Sequence, residues 1–272
     1  MFIVDLNQIL FATFFTNQNT DSSLSKHIIL NVLRATNKKH RKQYGDMVIA
    51  SDSMSNWRRE FFPHYKASRR KARKASSIDW SAVFADMDQI KDDLKTYFPY
   101  KFMQVDRAEA DDIIAALVVN RGDEPVLIVS GDKDFRQLHF QGVRQYDPIN
   151  KKFITEPDPI GYLQEHVIRG DVSDGVPNAL SPDDTFITGI RQRPITKKQL
   201  QRFQDISSLS EQEHKYYLRN KTLIDLSQIP QDVIDNILIE WSTPHPVTDR
   251  SQIMTYLKQN RMGMLMEQLE DF

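Results

Sequence analysis

Val126-Leu127-Ile128-Val129-Ser130-Gly131-Asp132-Lys133-Asp134-Phe135 is the stretch from which the rest of the chain reads. A short β-rich run ends in a turn that delivers two carboxylates. Similar runs lie at residues 2–4, 47–50, 102–105 and 143–146, and amphipathic helical patterns separate them. That alternation is the mark of an α/β domain with a mostly parallel central sheet flanked by helices. The helical pattern over residues 80–98 sets Val83, Phe84, Met87, Ile90, Leu94 and Tyr97 on one stripe and stops at Pro99. Another opens near Ala108 and buries Ile113, Ile114, Leu117 and Val118. Beyond about residue 158 the strand signals fade, and short helical patterns broken at Pro177, Pro182, Pro194 and Pro230 take over. The expected organisation is an α/β domain over residues 1–158 and a smaller helical domain over 159–272.

In an open parallel sheet the ligand crevice lies just beyond the carboxyl ends of the strands. Asp5 follows the first run, Asp52 the second, and Asp132 and Asp134 the fourth, so acids far apart in sequence are expected to converge. Glu109, Asp111 and Asp112 open a helix, with Glu109 and Asp112 sharing a face at i and i+3. Asp171 and Asp174, in Gly170-Asp171-Val172-Ser173-Asp174-Gly175, complete a set of nine. Taken singly, each has an ordinary reading as a turn residue, a helix-dipole partner or a cap. A coincidence of all of them at one sheet edge is a far less economical reading.

Two carboxylates about 4 Å apart repel by roughly 4 kcal/mol at an effective dielectric of 20, so several such pairs would rival a total stability of about 5–15 kcal/mol. Counter-cations are required. The chain has no Cys, and its seven His (27, 40, 64, 139, 166, 214 and 245) form no ligand-spaced pair. An all-oxygen donor set selects Mg²⁺, with Mn²⁺ as a substitute, over zinc. Nine acids exceed what one such ion uses, which points to two ions and in-line displacement at a phosphodiester.

The formal net charge of −1 over 272 residues conceals a segregation of charge. Between Trp57 and Lys74, Arg58, Arg59, Lys66, Arg69, Arg70, Lys71, Arg73 and Lys74 face the single acid Glu60. Trp57, Phe61, Phe62 and Tyr65 are interleaved with them, which suits single-stranded nucleic acid. Self-repulsion predicts that this segment is mobile without nucleic acid. Setting the nine acids apart leaves 28 against 36 Lys and Arg, a remainder near +8 that fits a polyanionic substrate. The absence of Cys, of a long apolar run and of a secretory leader pattern predicts a cytoplasmic protein without a membrane span.

The order Asp5, Asp52, Glu109-Ala110-Asp111-Asp112, Asp132-Lys133-Asp134, then Gly170-Asp171 with Ser173-Asp174 resembles the structure-specific 5′ nucleases, the family of flap endonucleases and polymerase 5′ exonuclease domains. Val4-Asp5-Leu6-Asn7-Gln8-Ile9, Trp57-Arg58-Arg59-Glu60-Phe61, Leu223-Ile224-Asp225 and Ile229-Pro230 are similar to its ribonuclease H branch in T-even-type bacteriophages. The resemblance implies a PIN-like nuclease core with a helical arch, here residues 53–78, and a C-terminal DNA-binding region with a helix-turn-helix-like motif. It also implies a monomer that removes RNA primers and 5′ flaps from DNA and RNA–DNA hybrids. Asp5, Asp52, Glu109, Asp111 and Asp132 would surround one Mg²⁺, and Asp134, Asp171 and Asp174 a second, with Asp112 nearby. Lys66 would reach the scissile phosphate, Arg69 or Arg70 another phosphate, and Tyr65 would stack on a base, with Arg58 and Arg59 adding to the nucleic-acid surface.

The family's glycine-rich hairpin after the second acid pair is missing from residues 179–184, which puts its K⁺ site in doubt and leaves duplex binding to Arg191, Arg193, Lys197 and Lys198. The chain's end, Gln268-Leu269-Glu270-Asp271-Phe272, reads either as a sliding-clamp docking peptide or as a last apolar stripe of Leu265, Leu269 and Phe272 packed on the chain itself. Other readings are a PIN-type ribonuclease, which the helical region beyond residue 158 opposes, and a non-catalytic replisome scaffold, which the full acid set opposes. A haloacid-dehalogenase-type phosphatase needs Asp-x-Asp where this chain has Asp5-Leu6-Asn7.

Overall fold

In a computed structural model, which describes residues 1–16, 22–244 and 249–272, six strands form one sheet in the order β3-β2-β1-β4-β5-β6. They are β1 (Phe2–Asp5), β2 (Met47–Ala50), β3 (Lys101–Met103), β4 (Val126–Val129), β5 (Val143–Asp147) and β6 (Lys152–Ile154). β1 pairs in parallel with both β2 and β4, in register Phe2 to Met47 and Phe2 to Leu127. Chain progression therefore reverses between β1 and β4, and the carboxyl ends of these two strands flank the switch point at which α/β sheets place ligands. Every residue of β1, β2 and β4 is buried, as expected of strands covered on both faces.

β6 is a departure from the sequence expectation. It returns antiparallel to β5 through a turn in which the Asp147 side chain accepts the backbone N–H groups of Ile149 and Asn150, at 2.9 and 3.0 Å. Its residues are exposed or half-buried, so no apolar run marked it.

Helices cover both sheet faces. α1 (Leu6–Thr16), α2 (Ser22–Tyr44) and α5 (Trp80–Tyr97) supply Ile9, Leu33 and Leu94 to one core, and α6 (Ala110–Val119) supplies Ile113, Ile114 and Leu117 to the other. Two short helices, α3 (Trp57–Phe61) and α4 (Ala67–Ala75), carry the basic segment; α7 (Pro159–Arg169), with Pro159 in its first turn and Asp158 as N-cap, leads out of the α/β region. α4 is a formed helix with no buried residue. Its anchor is described below.

The remaining helices are α8 (Thr185–Thr188), α9 (Lys197–Arg202), α10 (Glu211–Ile224), α11 (Gln231–Ser242), α12 (Arg250–Gln259) and α13 (Gly263–Met266). They do not form a core apart from the sheet. Val233 and Ile237 join the α6 side, while Ile253, Leu257, Leu265 and Phe272 join the α2 and α5 side. Among the described residues, smaller clusters form around Val167, Leu223 and Ile224 with Phe62 and Tyr65, and around Ile168, Leu180 and Phe203, within α7 and the segment after it.

The tail packs on the chain itself, as the second of its two readings expects. Phe272 is 5% exposed with its ring 5.4 Å from that of Phe98, and Asp271 binds Arg34 at 2.5 Å and Lys38 at 3.0 Å. Among the described residues, no helix is long and apolar enough to cross a membrane.

Candidate metal centre and basic arch

The acids of the sheet edge are each fixed by a local device. Asp5 ends β1, and its carboxylate accepts from Gln8 N–H at 3.2 Å and from Ser130 Oγ at 2.9 Å, which ties β1 to the loop after β4. Asp52, just past β2, accepts Ala110 N–H at 2.8 Å, an orphan donor of the first turn of α6. Glu109 is the N-cap of that helix. Asp132 caps the 3₁₀ turn Lys133–Leu138 by accepting Asp134 N–H at 2.9 Å, so the first acid of the Asp-Lys-Asp motif holds the backbone of the second, while its own N–H donates to Ser130 Oγ at 3.1 Å. Asp171 and Asp174 sit in the turn after α7. Gly170 precedes them at φ +68°, where a Cβ would meet the Val176 carbonyl oxygen at 2.5 Å, so only glycine fits.

Electrostatics confirm the convergence. Burial raises the Asp5 carboxyl to about 7, with Asp52 and Asp132 adding repulsion. Asp52 is raised by burial and by Glu109, and Asp111 well above the usual carboxylate range by burial and by Asp132. Asp134 is pushed up to about 7 by burial, then by Asp132. Groups from β1, β2, α6 and the loop after β4 thus feel one another's charge. Hard carboxylate oxygens, buried and mutually repelling, suit divalent cations.

Part of the cluster is instead neutralised from within. Lys66 Nζ lies 2.7 Å from Glu109 Oε1 and 3.6 Å from Asp174 Oδ2, and its backbone N–H donates to the Asp174 carbonyl at 2.7 Å. Burial would raise Glu109, but Lys66 and Arg58 hold it down at about 2. Arg69 binds Asp174 at 2.6 Å. These contacts anchor the otherwise exposed α4.

Three assignments from sequence are corrected here. Tyr65 is 3% exposed, and its hydroxyl is shared between Glu109 Oε2 at 2.9 Å and Asp174 Oδ2 at 2.8 Å, so its ring is packed and cannot stack on a base. Arg58 is 2% exposed, with Nη1 2.8 Å from Asp112 Oδ1 and Nε donating to the Leu223 carbonyl at 3.0 Å, so it is an internal counter-ion and not a nucleic-acid contact. Asp112 is fully buried; its Oδ2 accepts from Trp57 Nε1 at 3.1 Å and from Glu109 N–H at 2.9 Å, which completes the capping box of α6, and Arg58 Nη1 lies within 3.0 Å of both its oxygens, so it is the internal partner of Arg58. Arg59 and Arg70 remain exposed, as do Arg191 and Arg193 on the loop into α9 and Lys197 and Lys198 in its first turn.

Sequence reasoning missed His166. It is 7% exposed, on the last turn of α7, with Nε2 3.3 Å from Asp171 Oδ2 and Nδ1 3.6 Å from Asp134 Oδ1. Its spacing of five to Asp171 is not a ligand motif, and Asp134 is distant in sequence, so no local signal marked it. His245 lies outside the described residues. Asp171 also binds Lys133 Nζ at 2.7 Å, and its carboxyl is held well below the usual range because His166, Lys133 and Ser173 outweigh its burial. Beneath the arch a cavity of about 620 Å³, lined by Phe11, Phe15, Trp80, Arg59 and Arg73, reaches Asp52 and Glu109.

With this geometry in hand, comparison with known proteins is direct. Residues 1–165 match the family described as 5′-3′ exonuclease, N-terminal resolvase-like domain, and residues 162–272 match T4 RNase H, C terminal. The chain is 30% identical to the ribonuclease H of Enterobacteria phage T4, over 99% of this chain and 95% of that protein. It is 24% identical to a flap endonuclease Xni of a Shewanella species, over 87% of this chain and 92% of that one. Its fold matches that of T5 5′-exonuclease with bound zinc at a TM-score of 0.65 and 18% identity, covering 88% of this chain and 97% of that one. A T5 flap endonuclease complex with DNA and metal ions gives 0.62 and 20%, covering 89% and 99%. The chain belongs to the 5′-3′ exonuclease family, with a C-terminal region of the T4 RNase H type.

Proposed function

We propose that this enzyme hydrolyses phosphodiesters at 5′ ends and 5′ flaps of DNA and of RNA–DNA hybrids, using two Mg²⁺ ions, and that it removes RNA primers during DNA replication. One observation carries the reading: acids from four separated segments meet at the sheet's switch point directly beneath a basic arch whose Lys66 and Arg69 reach them. Asp5, Asp52, Glu109, Asp111 and Asp132 would hold one ion and Asp134 with the Asp171–Asp174 turn a second. Bound divalent ions activate water and screen the phosphate.

The side chains of the chain do the rest. Lys66 is fixed by its backbone bond to Asp174 and aims its ammonium at the acids, where it would donate to the scissile phosphate. Arg69, with Arg59 and Arg70 outside it, would take the neighbouring phosphates of a strand entering the cavity beneath the arch. Phe15 and Trp80, whose rings meet edge-on at 5.5 Å, offer apolar surface to its bases. Tyr65 positions Glu109 and Asp174. Arg191, Arg193, Lys197 and Lys198 would grip the duplex. The enzyme would act as a monomer.

Incubation with a 5′-labelled flap and with a nicked RNA–DNA hybrid tests the proposal. Short 5′ products should form with Mg²⁺ and not with EDTA. Tight binding without cleavage under both conditions would instead identify a non-catalytic scaffold.

A further inference from the structure

We infer that His166 is a metal ligand of the second centre, bonding through Nδ1 beside Asp134, and that Asp171 orients the imidazole. The inference rests on the metal-dependent reading above and goes beyond its carboxylates.

Asp171 has little left to offer an ion. Its Oδ1 accepts Ser173 N–H at 2.8 Å, Ser173 Oγ at 2.6 Å and Asp174 N–H at 3.2 Å, while Oδ2 takes Lys133 Nζ at 2.7 Å and faces His166 Nε2 at 3.3 Å. A carboxylate only accepts, so Nε2 carries the hydrogen toward Asp171, and in the neutral imidazole that a metal would bind the lone pair lies on Nδ1. That lone pair faces Asp134 Oδ1. Both atoms are buried and neither has a hydrogen-bond partner.

Two acceptors 3.6 Å apart are too distant to share a hydrogen bond and too desolvated to be left unanswered. Two donors of one ion, each about 2.1 Å from it, stand less than about 4.2 Å apart, and this pair meets that condition. Carboxylate, imidazole and metal in a row is the usual means of orienting a ligating histidine, and Asp171 supplies the carboxylate. Lys133, drawn onto the outer side of Asp171, fixes that orientation.

An imidazole nitrogen alters selectivity. Nitrogen donors favour first-row transition ions over Mg²⁺, so the second centre should prefer Mn²⁺, while the all-carboxylate centre around Asp5 should not.

The test uses the full chain and Mn²⁺ alone, without substrate. Pulsed electron paramagnetic resonance of the Mn²⁺-loaded protein should show ¹⁴N coupling from a directly bonded imidazole. In His166→Gln that coupling should vanish, and one of two Mn²⁺ sites should weaken by roughly tenfold or more, with the other unchanged. Two bound Mn²⁺ without ¹⁴N coupling in the wild type would overturn the ligand assignment and leave the proposed function standing. Coupling that persists in the variant would also overturn it, by assigning the nitrogen elsewhere. Failure to bind Mn²⁺ at all would remove both this inference and the reading beneath it. The wild-type spectrum decides the matter even if the variant folds poorly.

Discussion

At the start of α6 two acidic environments lie side by side. Asp112 is buried against Arg58, Trp57 Nε1 and the Glu109 amide, whereas its neighbour Asp111 meets chiefly other acids, with Asp132 and Asp5 raising it and Lys66 opposing them. The first is a closed ion pair in which every charge has an internal answer. The second is an arrangement whose charges are answered only in part from inside. The difference separates acids answered from inside from acids left for a cation to answer more sharply than residue type or spacing does, because both sets lie in one motif.

The strongest way to break this comparison is Asp132→Asn. Losing a metal-holding carboxylate should cost more than about 100-fold in cleavage, above the cost of disturbing a ligand's supports, while binding to a forked duplex stays within a few-fold. Single-turnover assays and gel-shift titrations measure the two, and retained cleavage would sink the assignment.

Next in size is Arg58→Ala. It strands Asp112 in the interior and should destabilise the protein by about 3–5 kcal/mol, read from urea midpoints. A loss confined to DNA affinity would restore Arg58 to the nucleic-acid surface.

A finer contrast comes from the adjacent pair in EDTA. Asp111→Asn should raise the melting temperature by a few degrees, because it removes a repelled charge, and should abolish most of the further rise that Mg²⁺ gives the wild type. Asp112→Asn should lower the melting temperature and leave the Mg²⁺ increment intact. Equal effects at the two positions would erase the distinction drawn here.

A last contrast lies outside the acids. His40 is buried among the rings of Phe2, Tyr44 and Tyr146, its Nε2 unbonded, and burial, with help from Lys39 and Arg144, pushes it down to about 4. In the unfolded chain it titrates near 6.5. Between these values the unfolded state binds the extra proton, so the contribution of His40 is full above pH 6.5 and is lost as pH falls toward 4. Urea midpoints from pH 7 to 4.5 should fall more steeply in wild type than in His40→Phe. Parallel profiles would show that an unpaired buried group need not discharge.

Much of this protein was legible in its residues. The apolar runs at 47–50 and 126–129 became β2 and β4 with unchanged bounds, because strands covered on both faces must be apolar throughout. The acids after those strands followed from the parallel sheet itself, which brings carboxyl ends to one edge whatever the intervening sequence. β6 escaped because an exposed edge hairpin needs no apolar pattern.

Tertiary structure alone decided which way side chains face at separations no periodicity covers. Asp112 turned inward because Arg58 is 54 residues away in sequence yet adjacent in space. Tyr65 was claimed by Glu109 and Asp174, at separations of 44 and 109 residues. His166 entered the acid cluster only when α7 came to rest on the turn after β4. The tail, open in sequence to two readings, packs into the space that Phe98 and the surrounding core leave for Phe272. Sequence patterns report the local face of an element, whereas a counter-charge or a packing cavity is a property of the elements that meet, and it exists only after they have met.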